Sequence, residues 1–276
     1  MRRTEFSWTN TDQQKIFAQE WRPAATPRGV VALMHGLGEY SGRYQHVAET
    51  LNEAGFGMVG FDAPGHGNSE GKRGHTSFDS ILEHLDHLIE EAKQRYPGLP
   101  CFLYGHSMGG AITLYYLLKR KPEIRGAVVT SPGLAPGAPV APAKLLAARM
   151  LSRLMPSFTM KNGLDVENLS QDAAIIQAYK GDPLVHPMIS TRLGLDLLTL
   201  GEWIMAHAGE LCVPLLLVQG SGDHIVSPRA TEAFAKAAPP DKITYKIWEG
   251  LFHETHNELK KQQVLEYMTA WIDQHA

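Results

Sequence analysis

Short apolar segments alternate with longer amphipathic segments along most of this chain of 276 residues, and this alternation restricts the fold more than any other feature. Apolar runs bounded by glycine, proline and polar residues predict buried strands, and the longer segments between them predict helices. The alternation therefore predicts an α/β fold, with a mostly parallel central sheet and helices on both faces. Strands are expected at residues 30–34, 57–61, 101–104, 126–130, 214–218 and 243–248.

Helix-stop residues help to place the helices between these strands. Gly55 ends the first helix, and Pro97 and Gly98 follow the second. Ahead of the alternating part, a turn at residues 10–12 separates two further strand-like runs. The helices are expected at residues 44–54, 78–95, 111–119 and 254–273, and the two early strands at residues 6–9 and 15–21.

The alternation is interrupted once, at residues 133–209, where helical segments follow one another without a convincing strand. Because strands resume afterwards, we expect a single sheet that is interrupted by a helical insertion. Residues 1–132 and 210–276 would then form the core, and the insertion would form a helical cap.

Two helices are expected in the cap. Residues 144–155 are mostly apolar, and Arg149 and Arg153 lie on one side of the predicted helix at i, i+4 spacing. We favour packing of this helix on the core, and the alternative is a basic, apolar helix that lies on a lipid surface. Residues 191–206 form the second helix, which is rich in leucine and carries Trp203.

Composition and charge disfavour several functional classes. The formal net charge is −3, which gives no reason to expect a nucleic-acid partner. The N-terminus lacks the apolar region of a signal peptide, and no run of about 18 apolar residues is present. We therefore expect a cytoplasmic protein, with peripheral membrane contact through the cap as an alternative. The two cysteines, Cys101 and Cys212, lie at the edges of apolar runs and are expected to be buried free thiols.

The segment Gly105–Gly109 has the form G-x-S-x-G and lies between a predicted strand and a predicted helix. This is the context in which the motif places a serine on a sharp turn. The two glycines have no Cβ, so a second backbone can approach the turn closely. We predict that Ser107 is a nucleophile with an exposed hydroxyl. The alternative is a glycine-rich helix start in which Ser107 is the N-cap.

A nucleophilic serine needs a base, and the base needs a carboxylate that orients it. In a parallel sheet such groups gather at the carboxyl ends of the strands. His253 follows the last predicted strand, and Asp223 follows the strand before it. We predict that His253 is the base and that Asp223 is the orienting acid.

Other residues compete for these two roles. His224 and His256 are alternative bases, and Asp62 is an alternative acid at a strand end, although its surroundings indicate a rigid structural turn. Asp223 has a structural alternative as well, since it could cap a helix at residues 228–237.

An acyl-transfer site also needs donors for the developing oxyanion. Met108 follows the predicted nucleophile and supplies one backbone amide. The segment HGLG at residues 35–38 follows the first strand of the alternating part, and its glycines allow the Leu37 amide to point at the same position. A plain glycine turn is the alternative for this loop.

The order Ser107, Asp223, His253 along the chain is typical of the α/β-hydrolase fold. The sequence shows no Cys/His spacing of a metal site, no phosphate-binding loop and no dinucleotide-binding motif. We therefore expect no cofactor and no metal. An apolar cap over the serine would form a tunnel suited to an acyl chain.

With these motifs, the chain resembles the monoacylglycerol lipases of the α/β-hydrolase superfamily, from about Val30 to the last helix. The glycine loop that ends in E-x-S-G-R-Y and the cap motif Y-x-x-D-P-L are more specific than the serine motif. The segments that carry the resemblance are residues 35–44 (HGLGEYSGRY), 65–71 (GHGNSEG), 105–110 (GHSMGG) and 179–184 (YKGDPL).

The resemblance implies the same triad and, in addition, a polar pocket for the glycerol end of a substrate. The residues at matching positions are Glu39, Arg43, Tyr179 and His256. Structural alternatives are an ion pair between Glu39 and Arg43 near the surface, and a place for Tyr179 in the core of the cap.

The resemblance also implies a serine ester hydrolase that releases fatty acid and glycerol from monoacylglycerols through an acyl-enzyme. The alternative is a broader carboxylesterase or lysophospholipase with the same machinery. A non-catalytic ligand-binding protein on this fold and a peptidase are further alternatives.

Overall fold

A central sheet, a short two-stranded sheet and eight α-helices form the regular structure of the described part of the protein. The computed structural model describes residues 1–138 and 140–276, and for Lys144 it describes the backbone only. The strands are β1 (Arg2–Thr9), β2 (Lys15–Arg22), β3 (Gly29–Met34), β4 (Phe56–Phe61), β5 (Cys101–His106), β6 (Gly126–Thr130), β7 (Thr159–Lys161), β8 (Met188–Ser190), β9 (Leu215–Gly220) and β10 (Ile243–Trp248). The helices are α1 (Gln45–Glu53), α2 (Phe78–Arg95), α3 (Met108–Arg120), α4 (Pro142–Leu154), α5 (Ala173–Gly181), α6 (Thr191–Ala206), α7 (Pro228–Ala237) and α8 (Lys261–His275).

Eight of the strands form one sheet in the order β1-β2-β4-β3-β5-β6-β9-β10. The β1–β2 and β2–β4 pairs are antiparallel, and the remaining neighbours are parallel. The predicted fold class, a mostly parallel sheet flanked by helices, is therefore confirmed.

The sheet is covered by helices on both faces because successive side chains of a strand point to opposite sides. Val31 and Leu33 of β3 pack with α1 and α8 in one buried cluster. Val30 and Ala32 of the same strand pack with α2, α3 and α7 in the other. Strands buried on both faces explain why the sequence shows continuous apolar runs there.

The segment between β10 and α8 differs from the prediction. Residues 254–260 were expected to open the last helix, but only a short 3₁₀ turn, Thr255–Asn257, forms there, and α8 begins at Lys261. The Glu258 carboxylate accepts hydrogen bonds from the backbone amides of Phe252, Gln171 and Leu259. These tertiary hydrogen bonds hold the segment as a loop, which we call the histidine loop (residues 250–260).

The segment between β6 and β9 contains α4, α5 and α6, and also a short antiparallel pair of strands, β7 and β8. The expectation that this segment lacks strands was wrong. Each of these strands has three residues, and their pairing joins Thr159 to Ser190 across the cap. So short a pairing between distant segments leaves no period-2 pattern to recognise.

Helix α6 belongs to the body as much as to the cap. Leu193 and Ile204 are fully buried in the cluster that also contains α3. Trp203 packs edge-on against the ring of Tyr115 in α3, with ring centroids 4.9 Å apart. The predicted boundaries of the cap at residues 133 and 209 remain a prediction.

Helix α4 packs with only one side. Leu145, Ala148 and Leu151 are partly buried toward α6, a helix of the same insertion, whereas the favoured interpretation expected packing on the core. The other side exposes apolar residues together with Arg149 and Arg153. The apolar residues exposed on α4 and just around it are Val140, Leu146, Met150, Leu154, Met155, Phe158 and Met160, which we call the apolar cap face.

The two cysteines lie in different environments. Cys101 in β5 is buried, as predicted, and burial raises its pKa to about 12. Cys212 is exposed, so the expectation of a second buried thiol was wrong. It lies in the connection to β9 between Leu211 and Val213, which are both buried.

Among the described helices, none combines the length and the apolar character that a bilayer crossing requires.

Candidate active site

Four loops converge at the carboxyl edge of the sheet. They follow β3, β5, β9 and β10, and they carry the residues that the sequence singled out: Leu37, Ser107, Asp223 and His253. Parallel strands bring their carboxyl ends to one edge, which explains why such distant residues can meet.

The turn between β5 and α3 holds Ser107 in a strained conformation. Ser107 has φ 55° and ψ −117°, a region that residues with a Cβ rarely adopt. A Cβ on Gly105 would collide with Gly109 and Thr113, so only glycine permits this close turn. Ser107 occupies the N-cap position of α3, but its side chain makes no capping hydrogen bond. The N-cap interpretation therefore does not account for its hydroxyl.

Ser107, His253 and Asp223 form a continuous hydrogen-bonded chain. His253 Nε2 lies 2.8 Å from Ser107 Oγ, and His253 Nδ1 lies 2.8 Å from Asp223 Oδ2. In the neutral imidazole, Nδ1–H donates to the carboxylate and Nε2 accepts from the hydroxyl. This is the arrangement in which a histidine can remove the proton of a serine.

Further hydrogen bonds hold Asp223 in place. Its Oδ1 accepts from the backbone amides of Ile225 and Val226 at 2.8 and 3.0 Å, and its Oδ2 also accepts from Gln219 Nε2 at 2.9 Å. The N-cap of α7 is Ser227 rather than Asp223. The helix-cap interpretation of Asp223 was therefore wrong.

The competing candidates lie elsewhere. Asp62 accepts hydrogen bonds from Ser41 and Asn68, which makes it the structural turn that its surroundings indicate. His224 is exposed and packs edge-on against Phe252.

The interaction between His253 and Asp223 shifts their pKa values in opposite directions. Burial alone would lower the pKa of His253, but the Asp223 carboxylate, with smaller effects from Glu254 and Glu39, raises it above its usual value. Burial alone would raise the pKa of Asp223, but the charge and hydrogen bond of His253 and two backbone amides lower it. Asp223 is therefore ionised at neutral pH and stabilises an imidazolium at His253.

Two contacts that the sequence analysis missed position the triad from the β6 side. Ser131 Oγ donates to the His253 carbonyl at 2.7 Å. The Gly133 amide donates to the Ser107 carbonyl at 2.9 Å. No residue-type pattern identifies these contacts, because one is made by a common small residue and the other by a backbone amide.

The loop after β3, which we call the oxyanion loop (residues 35–39), lies against the start of α3. A Cβ on Gly109 would collide with the carbonyls of Met34 and His35, so the two backbones are in close contact. Within the described residues, neither the Leu37 amide nor the Met108 amide donates a hydrogen bond. Both amides are therefore available near Ser107.

A small cavity of about 70 Å³ opens beside Ser107. One part of its wall is polar and the other is apolar. The residues that line it are Gly36, Leu37, Glu39, Arg43, His106, Ser107, Leu164, Leu169, Tyr179, Ile225, His253 and Glu254. Across the described residues, no group of three or more His, Cys, Asp and Glu side chains is arranged to hold a metal ion.

Three of the four residues assigned by resemblance to a glycerol pocket lie in this wall. Arg43 forms an ion pair with Glu39, and its guanidinium lies 4.7 Å from the ring centroid of Tyr179. The ion-pair alternative for Glu39 and Arg43 is thus present, but the pair is buried and faces the cavity instead of the surface.

The fourth residue, His256, does not line the cavity, which corrects the expectation. Its ring is buried and stacks on the rings of Tyr44 and His46, with ring centroids 5.0 and 6.1 Å away. Among the described residues its Nδ1 has no hydrogen-bond partner. The 3₁₀ turn directs this side chain inward, and the helix that the sequence predicted there would have oriented it differently.

Glu254 lines the cavity but was not among the candidates. It follows His253 directly and is 2% exposed. Acidic residues are common in the first turn of helices, and a helix was predicted to begin there. A carboxylate next to the predicted base was the signal that could have identified it.

Similar proteins are found among known hydrolases. The family model Hydrolase_4, described as serine aminopeptidase S33, matches residues 25–260. An uncharacterized abhydrolase domain-containing protein of Dictyostelium discoideum is 38% identical over 266 residues. The match covers 95% of this chain but 28% of that protein, so this chain spans less than a third of the length of that relative. The monoacylglycerol lipase of Mycolicibacterium smegmatis is 33% identical over 275 residues, and the match covers 99% of this chain and 98% of that protein.

Among solved structures, the monoacylglycerol lipase of Paleococcus ferrophilus superposes with a TM-score of 0.88 at 35% identity, and the match covers 95% of this chain and 99% of that one. The α/β-hydrolase fold and the resemblance to monoacylglycerol lipases are therefore confirmed. The chain belongs to the Hydrolase_4 family of serine hydrolases in the α/β-hydrolase superfamily, within which its relatives include monoacylglycerol lipases.

Proposed function

We propose that this protein hydrolyses monoacylglycerols to fatty acid and glycerol through an acyl-enzyme. The observation that carries the proposal is the Ser107–His253–Asp223 chain of hydrogen bonds at the wall of a cavity with one polar and one apolar side. The similarity to monoacylglycerol lipases over nearly the full chain supports the substrate class.

The reaction follows from the hydrogen bonds. Ser107 Oγ attacks the ester carbonyl while His253 Nε2 takes its proton, and Asp223 stabilises the imidazolium. The Leu37 and Met108 amides donate to the oxyanion. His253 then returns the proton to the glycerol oxygen, and the ester bond breaks. Water, activated by His253, attacks the acyl-enzyme and releases the fatty acid.

The glycerol end of the substrate is placed at the polar wall. Tyr179 is part of this wall, and among the described residues its hydroxyl makes no hydrogen bond, so it can bind a substrate hydroxyl. Glu39 and Arg43 supply further polar atoms beside it.

The acyl chain is placed in the groove between α4, α6 and α7. This groove has a volume of about 650 Å³, and Leu134, Val140, Leu145 and Leu198 form its apolar side, with Glu202 and Arg229 among its polar lining. Leu134 follows Gly133, whose amide donates to the Ser107 carbonyl, so this stretch of chain connects the groove with the turn that carries the nucleophile. The apolar side of the groove suits a hydrocarbon chain.

The apolar cap face supports peripheral contact with a lipid surface. Leu146, Met150 and Leu154 are exposed at i, i+4, i+8 spacing on α4, with Arg149 and Arg153 beside them. Apolar side chains enter the headgroup region while basic side chains interact with anionic lipids. Such contact would bring the groove next to α4 close to its substrate.

A substrate panel tests the proposal. Values of kcat/KM for monoacylglycerols should exceed those for diacylglycerols, triacylglycerols, lysophospholipids and short aryl esters. Equal or higher values for lysophospholipids or aryl esters would replace the proposal with the broader esterase or lysophospholipase. Labelling of Ser107 by a fluorophosphonate excludes a non-catalytic binding protein, and its absence would support one.

A further inference from the structure

Both carboxylate oxygens of Glu254, the residue after His253, accept hydrogen bonds. Its Oε1 and Oε2 accept two hydrogen bonds from Arg43, each of 2.8 Å. Its Oε2 also accepts from Asn257 Nδ2 at 2.7 Å. A bidentate pair with a guanidinium fixes the orientation of both groups, because the two N–H donors and two oxygens must be coplanar.

Arg43 continues this connection to the oxyanion loop. The same Nη1 that contacts Glu254 also donates to Glu39 Oε2. The other oxygen of Glu39 accepts from the Gly36 amide and from the Tyr44 hydroxyl, both at 2.6 Å. Glu254, Arg43 and Glu39 therefore link the histidine loop to the backbone of the oxyanion loop, one residue before Leu37.

The linked groups are shielded from solvent. The side chains of Glu39, Arg43 and Glu254 are 3%, 10% and 2% exposed. Charged hydrogen bonds in such surroundings are stronger than at a surface, and a partner left alone there is destabilised. The link is thus rigid enough to set the position of a loop.

We propose that Glu254 is a positioning residue for ester hydrolysis: through Arg43 and Glu39 it holds the oxyanion loop in register with the histidine loop, so that the Leu37 amide and His253 act on the same carbonyl. This deepens the proposed function and rests on it. Arg43 serves mainly to connect the carboxylates of Glu39 and Glu254. Tyr179 makes most of the contact with the substrate at the polar wall.

Glu254 also affects the charge around the base. Two carboxylates and one guanidinium leave one net negative charge beside His253. The other titratable groups that interact with Glu254 are His46, His106, Tyr44, Tyr104, Tyr179 and His253 itself. Burial lowers the pKa of His253, and the charge of Glu254 acts with Asp223 and Glu39 in the opposite direction. Loss of that charge should lower the pKa of His253.

Two substitutions separate the geometric effect from the charge effect. Glu254→Gln keeps the shape of the side chain and removes the charge. Glu254→Asp keeps the charge and withdraws the carboxylate from Arg43. The matched control is Glu20→Gln, because Glu20 is a buried carboxylate between Arg22 and Arg95, on β2 and away from the site.

The experiment measures kcat, KM and their pH profiles with a monoacylglycerol and with a short aryl ester, and thermal unfolding for each variant. We expect both Glu254 variants to lose about 10- to 100-fold in kcat, less than the loss of an oxyanion donor itself, with little change in KM. For Glu254→Gln the acidic limb of the profile should also move to lower pH, whereas it should stay in place for Glu254→Asp. Glu20→Gln should leave kcat and the limb unchanged.

The proposal is overturned if both folded Glu254 variants keep kcat close to the wild-type value. It is also overturned if Glu254→Gln loses kcat while its acidic limb stays at the wild-type pH. The aryl ester separates this failure from that of the proposed function. If monoacylglycerols prove to be poor substrates, the loss of kcat on the aryl ester still reports on Glu254.

Discussion

At the scale of single residues, the site depends on side chains that are each held by several partners. Asp223 accepts four hydrogen bonds, from His253, Gln219, Ile225 and Val226. A carboxylate held in this way can orient His253 without moving toward it during the reaction. This rigidity is what transition-state stabilisation by fixed groups requires.

The clearest residue-scale prediction concerns the nucleophile. Ser107→Ala removes the attacking oxygen, so kcat should fall by a factor on the order of 10⁶, as when a related triad was dissected. Initial rates on a monoacylglycerol, with thermal unfolding as the control for folding, measure this effect. Activity near the wild-type level would assign the nucleophile elsewhere.

A second residue-scale prediction concerns pH. The neutral form of His253 is the base, so the rate should fall as the imidazole is protonated at low pH. Since Asp223 raises the pKa of His253, the acidic limb of kcat/KM should lie above the unperturbed value of about 6.5. A pH–rate profile on a substrate that does not ionise measures it. A limb below the unperturbed value would contradict the assignment.

At the scale of elements, the sequence predicted the parallel sheet, its helices and the triad, but not every connection between them. Ser107, Asp223 and His253 were predictable because each follows a strand whose apolar run is easily recognised. Glu254 and His256 were not, because their loop is held by hydrogen bonds to Glu258 from residues distant in sequence. Local propensity there favours a helix, and tertiary contacts override it.

The apolar cap face gives an element-scale prediction. Replacing Leu146, Met150 and Leu154 by serine should weaken binding to anionic vesicles, since burying each such side chain contributes about 1.5–3 kcal/mol. Turnover of a dissolved aryl ester should not change, because these side chains point away from the body. Vesicle co-sedimentation measures binding.

The control for that prediction is Leu259→Ser. Leu259 is an exposed leucine, like those of the apolar cap face, but it lies in the histidine loop. Its replacement should leave vesicle binding intact. Equal loss of binding in the control would point to non-specific adsorption instead of docking through α4.

At the scale of the whole molecule, buried histidines tie stability to pH. Burial lowers the pKa of His84, His106 and His186 to about 4 in each case. In the unfolded chain these groups titrate near their ordinary value of about 6.5. The unfolded state therefore binds more protons between these two pH values, and acid favours unfolding.

The corresponding prediction uses His84, which lies in α2 and accepts a hydrogen bond from Trp8. The stability that its neutral form contributes should be complete above a pH of about 6.5 and should be lost as the pH falls toward 4. In His84→Gln, which keeps an acceptor for Trp8, urea midpoints should decline less steeply over this range. Identical slopes in both proteins would contradict a role for His84.

The attachment of α6 to the body has a consequence for engineering and for divergence among relatives. Because Leu193 and Ile204 fill the interior beside α3, residues 133–209 are not a transplantable unit. A graft of the complete insertion from a relative would import side chains that do not fit the recipient's interior. Exchanges limited to α4 and its flanking loops would alter the entrance for the hydrocarbon chain and leave the scaffold intact.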